Sequence, residues 1–332
     1  MTTRFAILGA GAWGTAVALV LAKNSQHRVT LWSARPEHAD WHARRENARL
    51  LPRVIVPVSI TLTTNIATAL DGADVIIAGV PTAFLRTTLQ RIASAIPKGT
   101  PFLSLAKGIE IHSFRRPTEI AVEVLGPRPV AVLSGPSHAE EVARGLPTTL
   151  VAASENVALA QWLQDRLSTE RFRVYTNRDL VGVELAGALK NVIGIAAGIS
   201  DGLELGDNCK SALLTRGLAE MARFGVALGA EAQTFWGLAG MGDLITTCVS
   251  RHGRNRAVGE RLGKGERLAD IQASTSTVAE GVFTARSVFE KSQYMGIPMP
   301  IGTEVYRVLY ENKSAKDAVT DLMLRELRSE HW

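Results

Sequence analysis

A glycine-rich segment near the start restricts the fold of this chain more than any other feature of its sequence. Gly9, Gly11 and Gly14 occur within Gly-Ala-Gly-Ala-Trp-Gly, directly after the apolar run Arg4–Leu8 and before a stretch that is typical of an apolar helix. At this spacing the first glycine allows a tight turn, the second lets backbone approach a pyrophosphate, and the third lets the helix pack closely on the strand. The segment predicts a dinucleotide site in a Rossmann-type sheet, with a purely structural turn as the alternative.

The first half of the chain alternates short β-branched runs with helical stretches, which is the pattern of a parallel sheet covered by helices. Each run is apolar and is bounded by Gly, Pro, Asp or Ser. The predicted strands are Arg4–Leu8, Arg28–Trp32, Asp74–Gly79, Phe102–Leu105, Val130–Leu133 and Thr149–Ala153. We therefore expect a doubly wound α/β domain, the dinucleotide-binding Rossmann domain, over residues 1–177.

The second half changes to long helical patterns with no convincing strand between them. The predicted helices are Leu180–Ile199, Cys209–Leu228, Asn255–Leu262, Ala279–Met295, Thr303–Glu311 and Ala315–Arg325. A chain of 332 residues also exceeds the ~150 residues of an average domain. We therefore expect an all-helical substrate and catalytic domain over residues 178–332.

Composition excludes several classes of protein. Apolar residues make up 46% of the chain, and its 37 Lys and Arg are interspersed with 32 Asp and Glu, so it has no basic arm for nucleic acid. Two cysteines are too few for a disulfide-built secreted scaffold. The uncharged run Phe5–Ala22 is like a signal peptide, but its glycines would break that helix, and no other uncharged run approaches the ~20 residues of a membrane span. We expect a cytoplasmic protein with a small anionic ligand and no membrane span.

The end of the second predicted strand bears on which dinucleotide is bound. NAD-specific sites usually place Asp or Glu about 20 residues beyond the glycines, where the carboxylate binds the ribose 2′-hydroxyl. The stretch Val29–Pro36 contains no acidic residue, and Arg35 lies where it could pair with a 2′-phosphate. The sequence therefore favours NADP over NAD, with a solvated loop charge as the alternative for Arg35.

Two loops that follow predicted strands carry polar side chains. Lys107 lies in Leu-Ala-Lys-Gly, and His138 lies in Ser-Gly-Pro-Ser-His-Ala. Because ligands in open α/β sheets lie beyond the carboxyl ends of the strands, Lys107 is placed to reach a bound substrate or cofactor. His138 has no visible partner in the sequence, and we interpret it as a structural residue.

Lys190 is the most informative residue of the helical half. Gly187 lies three residues before it and Gly194 four after it, so both share its helical face and leave the amine in a trough of small residues. Because burial of a lysine is costly, Lys190 either extends to water or has a pKa lowered for acid/base work. The pattern leaves both alternatives open. Further along, Asp243 directly follows the glycine-rich stretch Gly237–Gly242, which projects its carboxylate from a bend. The alternative is that Asp243 is the N-cap of a helix.

Three arginines surround the start of a short predicted helix. They are Arg251, Arg254 and Arg256, and Asn255 lies among them. Guanidinium groups and free N–H groups at a helix start together make a phosphate site. The segment predicts such a site, with a solvated basic turn as the alternative.

Taken together, these segments resemble the NAD(P)-dependent glycerol-3-phosphate dehydrogenases of the bacterial type, and the likeness covers nearly the whole chain. The matching segments are residues 9–16, Ser134–Ser137, Ala188–Asn191, Gly237–Asp243, Arg254–Asn255, Val278–Gly281 and Val305–Tyr310. The lysine-asparagine pair and the loop before Asp243 are far more specific than the glycine pattern.

The resemblance implies that the chain interconverts sn-glycerol 3-phosphate and dihydroxyacetone phosphate for phospholipid synthesis, as a homodimer without a metal, with Lys190 as general acid/base. The implied substrate-binding residues are Lys107, Gly135, Ser137, Asn191, Asp243, Thr247, Arg254 and Asn255. The implied cofactor-binding residues are Gly9, Gly11, Ala12, Trp13, Gly14, Ala34, Arg35, Lys107, Ala139, Arg254, Val278 and Glu280.

Three positions depart from the family pattern. Ala12 stands where Ser is common, Ala34 where His or Arg is common, and Gly253 where Ser usually precedes Arg-Asn. The first two affect binding of the adenosine phosphate, and the third removes one substrate hydroxyl contact. Two rival functions stay open. One is a two-domain dehydrogenase with a lysine base that acts on a β-hydroxy acid such as 6-phosphogluconate, and the other is a cofactor-binding protein without turnover.

Overall fold

The computed structural model describes residues 2–34, 43–250, 252–275, 278–327 and 329–330. Its first half forms one sheet with the strands β1 (Thr3–Leu8), β2 (His27–Trp32), β3 (Ile60–Thr63), β4 (Val75–Ala78), β5 (Phe102–Ser104), β6 (Val130–Ser134), β7 (Thr148–Ala153) and β8 (Phe172–Asn177). Their order across the sheet is β3-β2-β1-β4-β5-β6-β7-β8. The predicted class, a Rossmann-type doubly wound sheet followed by helices, is confirmed.

The last two strands run opposite to the other strands of the sheet. All neighbouring pairs from β3 to β6 are parallel, whereas β7 is antiparallel to β6 and β8 is parallel to β7. The sequence pattern predicted a parallel sheet, and the structure departs from it only at the pairing of β6 with β7, where the connecting segment 135–147 contains only the short helix Ala139–Ala143. That segment returns the chain to the sheet at the end where β6 finishes. A parallel strand would have needed a longer crossover to the opposite end of the strands.

Two strands escaped prediction, and both lack a continuous apolar run. β3 is a four-residue edge strand, Ile-Thr-Leu-Thr, with one fully buried side chain. β8 forms the other edge, where the buried residues Phe172 and Val174 alternate with the exposed residues Arg173 and Tyr175. Short strands with one solvated side give a weak apolar signal in a sequence.

Helices cover both faces of the sheet. They are α1 (Ala12–Leu21), α2 (Ile66–Leu70), α3 (Thr82–Ile92), α4 (Pro117–Leu125), α5 (Ala139–Ala143) and α6 (Val157–Leu167). Because side chains alternate along a strand, Ile7 belongs to the apolar cluster that includes α1 and α6, whereas Leu8 belongs to the cluster that includes α3 and α4. Burial on both faces explains why the central strands are almost entirely apolar.

The second half is helical, and its described residues contain no strand. The helices are α7 (Leu180–Gly202), α8 (Gly206–Ala227), α9 (Ala232–Trp236), α10 (Asp243–Val249), α11 (Arg254–Gly263), α12 (Leu268–Ser274), α13 (Glu280–Met295), α14 (Pro300–Tyr310) and α15 (Ala315–Met323). A π-helical turn, Leu238–Gly242, precedes α10. The division of the chain into separate domains at residues 177/178 stays a prediction, although β8 ends at Asn177 and α7 begins at Leu180.

Helix α7 forms the centre of the helical half. It has 23 residues, and an 18-residue window within it has a mean hydropathy of 1.6, enough by length and composition to cross a membrane, but 89% of that window is buried within the structure. A Cβ on Gly198 would lie 2.0 Å from the carbonyl oxygen of Arg256, and one on Gly259 would lie 2.0 Å from that of Ile195. These glycines let α7 and α11 touch along their backbones, which brings the start of α11 to the middle of α7.

Candidate active site

The glycine-rich turn between β1 and α1 is closely packed except at one point. Gly9 has a φ of +108°, which other residues rarely adopt, and its N–H donates to the carbonyl of Trp32 at 3.0 Å. A Cβ on Gly14 would lie 2.1 Å from the carbonyl oxygen of Gly9, whereas no atom of the described residues lies within 4 Å of a Cβ on Gly11. Gly79, which no sequence motif singled out, directly follows β4, and a Cβ there would lie 3.2 Å from the Cα of Gly14.

The turn fits a dinucleotide. Helix α1 begins at Ala12, and no described side chain caps its first N–H groups, so they stay available to a phosphate. The indole Nε1 of Trp13 is buried without a hydrogen-bond partner among the described residues. Asn47, which the sequence did not single out, steadies the turn by donating from Nδ2 to the carbonyl of Ala10 at 2.8 Å.

The adenosine end of this region is only partly described. Ala34 is exposed just beyond β2, and Arg35 lies outside the described residues. The preference for NADP, which depends on Arg35, therefore stays a prediction.

Lys107, Lys190 and Asp243 meet where the sheet and the helical half touch. Asp243 Oδ2 accepts from Lys107 Nζ at 2.8 Å, and Oδ1 lies 3.0 Å from Lys190 Nζ. Thr247 Oγ1 accepts from Lys190 Nζ at 2.5 Å. Lys190 is 6% exposed and Asp243 is 2% exposed. Two ammonium groups thus share one buried carboxylate, and Asp243 does not cap a helix with its side chain.

The surroundings of Lys190 lower the pKa of its amine. Burial, aided by the positive charge of Lys107, lowers the pKa of Lys190 to about 8, although the Asp243 carboxylate acts in the opposite direction. Of the two alternatives for Lys190, the structure shows the buried side chain and not extension to water. An amine with this pKa can exchange a proton near neutral pH, which suits a general acid/base.

The glycines that flank Lys190 do not leave an open trough. A Cβ on Gly187 would lie 2.8 Å from Ser134 Oγ, and one on Gly194 would lie 2.7 Å from Thr247 Cγ2. The small residues let α7 press against the end of β6 and against α10. Their function in the fold is therefore to bring the partners of Lys190 within reach.

Lys107 extends along the loop that follows β6. Its Nζ donates to the carbonyl of Gly135 at 2.8 Å and lies 3.2 Å from Ser137 Oγ. With Asp243, these contacts place Gly135 and Ser137 beside the same ammonium group. Ala139, two residues beyond Ser137, begins α5 and is buried.

The two described arginines at the start of α11 contact different partners. Arg254 is exposed and donates from Nη1 to the carbonyl of Val278 at 3.1 Å. Arg256 turns away to Asp201, with Nε 2.6 Å from Oδ2, and Arg251 lies outside the described residues. The prediction that Arg256 joins Arg254 is wrong because residues two apart in a helix do not share a face.

Asn191, Asn255 and Glu280 are tied into the contact between the two halves. Asn255 Nδ2 donates to Asn191 Oδ1 at 2.9 Å. Glu280 begins α13, and its Oε1 accepts from the N–H of Thr82 at 2.9 Å, at the start of α3. These partners are 64 and 198 residues apart in the chain, so the sequence carried no local signal for them.

A cleft of about 1020 Å³ opens beside α10, between it, α5 and the segment 51–54. Arg144 and His252 line it, and none of the predicted site residues that the structure describes does. The rings of His138 and His252 lie 5.8 Å apart, and burial together with the charge of Lys190 lowers the pKa of His138. The cleft adjoins the site without containing its charged groups.

Two family models match the two halves of the chain. The model described as NAD-dependent glycerol-3-phosphate dehydrogenase N-terminus matches residues 4–160, and the corresponding C-terminus model matches residues 179–320. The chain belongs to this family. It is therefore an NAD(P)-dependent oxidoreductase of the glycerol-3-phosphate dehydrogenase family, as its sequence motifs predicted.

Glycerol-3-phosphate dehydrogenases from several bacteria match almost the full length. One from Chlorobium phaeobacteroides (strain BS1), named glycerol-3-phosphate dehydrogenase (NAD(P)+), is 48% identical over 331 residues and covers 98% of this chain and 99% of its own. One from Geobacillus thermodenitrificans (strain NG80-2) is 48% identical and covers 98% of this chain and 95% of its own. The crystal structure of the Coxiella burnetii glycerol-3-phosphate dehydrogenase is 40% identical, with a TM-score of 0.94 over 98% of this chain and 99% of that one.

Proposed function

We propose that this chain interconverts sn-glycerol 3-phosphate and dihydroxyacetone phosphate with NAD(P), and that Lys190 is its general acid/base. The observation that carries the proposal is the buried contact of Lys190 with Asp243 and Thr247. This contact lies beside the loops that follow β5 and β6, at the carboxyl ends of the parallel strands, where ligands bind in α/β folds. The names of the relatives support the substrate pair.

The proton steps follow from the surroundings of Lys190. In oxidation, its neutral amine takes the proton of the C2 hydroxyl, and in reduction its ammonium returns a proton to the forming alkoxide. Asp243 and Thr247 hold Nζ in place for both directions, and burial keeps water away from it. A nicotinamide cofactor, held by the glycine turn and Trp13, supplies the hydride chemistry when it is bound.

The rival functions can be separated by one spectrophotometric assay. The protein is mixed with NADPH or NADH and with dihydroxyacetone phosphate, and oxidation of the cofactor is followed by absorbance. We expect turnover with dihydroxyacetone phosphate and none with NADP+ and 6-phosphogluconate. Turnover of 6-phosphogluconate would favour the β-hydroxy acid dehydrogenase, and binding of the cofactor without turnover of either substrate would favour the non-enzymatic rival.

We propose that Arg254 and the start of α11 bind the substrate phosphate. The guanidinium is exposed, and no described side chain caps the first N–H groups of α11. Arg254→Ala should lower kcat/KM for dihydroxyacetone phosphate by about 10- to 1000-fold, the scale of one lost charge-assisted contact or somewhat more. Comparison with dihydroxyacetone is the control. An unchanged preference for the phosphorylated substrate would assign Arg254 to the cofactor or to solvent.

We propose NADP as the preferred cofactor, since no acidic residue ends β2 and Arg35 follows it in the sequence. Arg35→Ala should weaken NADPH binding by about 1.5 to 3 kcal/mol and leave NADH binding nearly unchanged, because only NADPH carries the 2′-phosphate. Fluorescence titration with both cofactors measures the difference. Equal losses for the two cofactors would contradict the proposal.

The cellular setting is a further part of the proposal. We infer a cytoplasmic homodimer that supplies glycerol phosphate for phospholipid synthesis and has no nucleic-acid partner. The mixed charge pattern and the family likeness support this inference. Sedimentation of the purified protein checks the dimer, and glycerol auxotrophy after loss of the gene checks the supply of glycerol phosphate.

A further inference from the structure

Glu184 is a buried carboxylate of α7 that the proposed mechanism does not use. It is 3% exposed and lies on the same helix as Lys190, six residues before it. Its Oε1 accepts from the N–H of Thr118 at 2.9 Å, and its Oε2 accepts from Thr118 Oγ1 at 2.6 Å and from Arg116 Nη1 at 2.7 Å. Three donors, one of them charged, therefore compensate for the removal of this carboxylate from water.

The partners of Glu184 lie at the start of a helix in the other half of the chain. Helix α4 begins at Pro117, so the N–H of Thr118 is one of the donors that the helix itself cannot pair. Glu184 thus caps α4 from α7, across 66 residues of sequence. A negative charge is favourable there because the start of a helix carries a partial positive charge. The contact joins the sheet half to the helix that bears Lys190.

The segment between β5 and α4 carries Lys107, and α7 holds this segment near both ends. At one end the carbonyl of Lys107 accepts from Asn191 Nδ2 at 2.7 Å, and at the other end Glu184 holds Arg116 and Thr118. Glu184 and Asn191 are seven residues apart in α7, which is close to two helical turns, so they share one face of the helix.

The same face of α7 also touches the Lys107 side chain between those two points. A Cβ on Gly187 would lie 3.6 Å from Lys107 Cγ. Ile109, two residues after Lys107, is buried in an apolar cluster that includes residues of α7. A shift of α7 against this segment would therefore move the Lys107 ammonium relative to Lys190 and to Asp243, the carboxylate that both ammonium groups contact.

We propose that Glu184 is a positioning residue. By capping α4, it fixes the segment that carries Lys107 relative to the helix that carries Lys190, so that both ammonium groups meet Asp243. This inference deepens the proposed function and rests on it. Its support is that the hydrogen bonds described for the Glu184 carboxylate all come from the other half of the chain, at the end of the segment that carries Lys107.

Glu184→Gln tests this role, because the amide keeps the size of the side chain but loses the charge and one acceptor oxygen. We expect kcat to fall about 10- to 100-fold, the effect of a small misplacement of reacting groups. The charge of Lys107 is one of the causes that lower the pKa of Lys190. A displaced Lys107 should therefore raise the pH at which kcat/KM for oxidation levels off, by about one unit. Initial rates measured across the pH range give both quantities.

Glu220→Gln is the matched control for this change. Glu220 is also a buried glutamate that accepts from N–H groups at the start of another helix, but that helix, α14, belongs to the same half of the chain. The control should therefore leave kcat and the pH profile at the parent values. Equal kinetic effects in the two variants, or a lower kcat with an unshifted profile in Glu184→Gln, would reduce Glu184 to a structural role.

Thr118 offers a second pair of variants, which tests the proposal even if Glu184→Gln does not fold. Thr118→Val removes the hydroxyl that donates to Glu184 but keeps the shape of this buried side chain, whereas Thr118→Ser keeps the hydroxyl. We expect a smaller shift of the pH profile in the same direction in Thr118→Val, and the parent profile in Thr118→Ser. The same profile in both variants would contradict the proposal.

Hydrogen exchange separates this inference from the proposed function. Deuterium uptake by the segment 105–118 is measured without substrate in the parent, in Glu184→Gln and in Glu220→Gln. Loss of the cap should give faster uptake in Glu184→Gln alone. Faster uptake together with a parent that does not turn over dihydroxyacetone phosphate would keep the link between α4 and α7 and reject the proposed activity. Equal uptake in all three proteins would overturn the link.

Discussion

Lys190 and Glu220 are both buried, and burial moves the pKa of each toward neutrality, yet the two regions differ in what surrounds the group. Burial is the largest cause of both shifts, which bring Lys190 to about 8 and Glu220 to about 7. Lys190 contacts the side chains of Asp243 and Thr247. Glu220 accepts main-chain N–H groups at the start of α14, with Oε1 2.8 Å from the nitrogen of Ile301.

The comparison teaches that a shifted pKa by itself does not mark an active site. Glu220 closes a helix end inside the helical half, and its oxygens are used up by the N–H groups of Ile301 and Gly302. The partners of Lys190 come from α10, and Lys107 reaches the same carboxylate from the loop after β5, so charges from both halves converge there. Convergence of side chains at the carboxyl ends of the strands distinguishes Lys190, the proposed acid/base, from Glu220.

The largest expected difference between the two groups is in turnover. Lys190→Met keeps the length and the apolar stem but removes the proton, so kcat should fall by about 10²- to 10⁴-fold, the usual contribution of general acid/base catalysis. Glu220→Gln, which leaves the site untouched, should keep the parent kcat. Affinity for NADPH, measured by fluorescence, should survive in both variants. Near-normal turnover in Lys190→Met would show that Lys190 is no more needed for the reaction than Glu220.

The next difference is in how the free energy of unfolding depends on pH, to which Glu220 should contribute most. Its pKa is raised from 4.5 to about 7, so between these values the native state keeps a proton that the unfolded chain loses. Folding stability should therefore fall as pH rises through this range, by about 3 kcal/mol for this group. Urea unfolding of the parent and of Glu220→Gln should show that the loss is absent in the variant. Parallel pH curves for the two proteins would contradict the shifted pKa.

The smallest effect is the pH dependence of the reaction, which isolates Lys190. Oxidation needs the neutral amine, so kcat/KM should rise about tenfold per unit up to a pH of about 8 and then level off. Reduction needs the ammonium and should decline above the same pH. Glu220→Gln serves as the control and should leave both profiles unchanged. Profiles of the same shape in both directions would exclude a single amine as the acid/base.

The central strands and the long helices were predictable because their signals are local. A buried strand is a short apolar run, and a long helix repeats its apolar face several times. The edge strand β8 was missed because Arg173 and Tyr175 interrupt its apolar pattern. The reversal of β7 was not predicted, although segment 135–147, with only the short helix Ala139–Ala143, is short for a crossover between parallel strands.

The candidate site was predictable as a set of residues and not as an arrangement. Family motifs singled out Lys107, Lys190 and Asp243, and the structure brings these three together. The partners of Asn191 and Glu280 depend on contacts across 64 to 198 residues, which no spacing rule reveals. Gly187 was interpreted as a source of space around Lys190, whereas its missing side chain lets α7 approach Ser134.

The reversed direction of β8 has a consequence for where Lys190 can stand. Since β8 runs opposite to β6, it ends at Asn177, at the end of the strands remote from Lys107. Helix α7 must therefore run the length of the strands to bring Lys190 to the end where Lys107 lies. At about 1.5 Å per residue, the ten steps from Leu180 to Lys190 span about 15 Å, close to the length of a five-residue strand. The rotation of α7 about its axis is therefore fixed both at its start and at Lys190. A single inserted residue between them would turn the amine by about 100° away from Asp243, a change that no substitution at the site could repair.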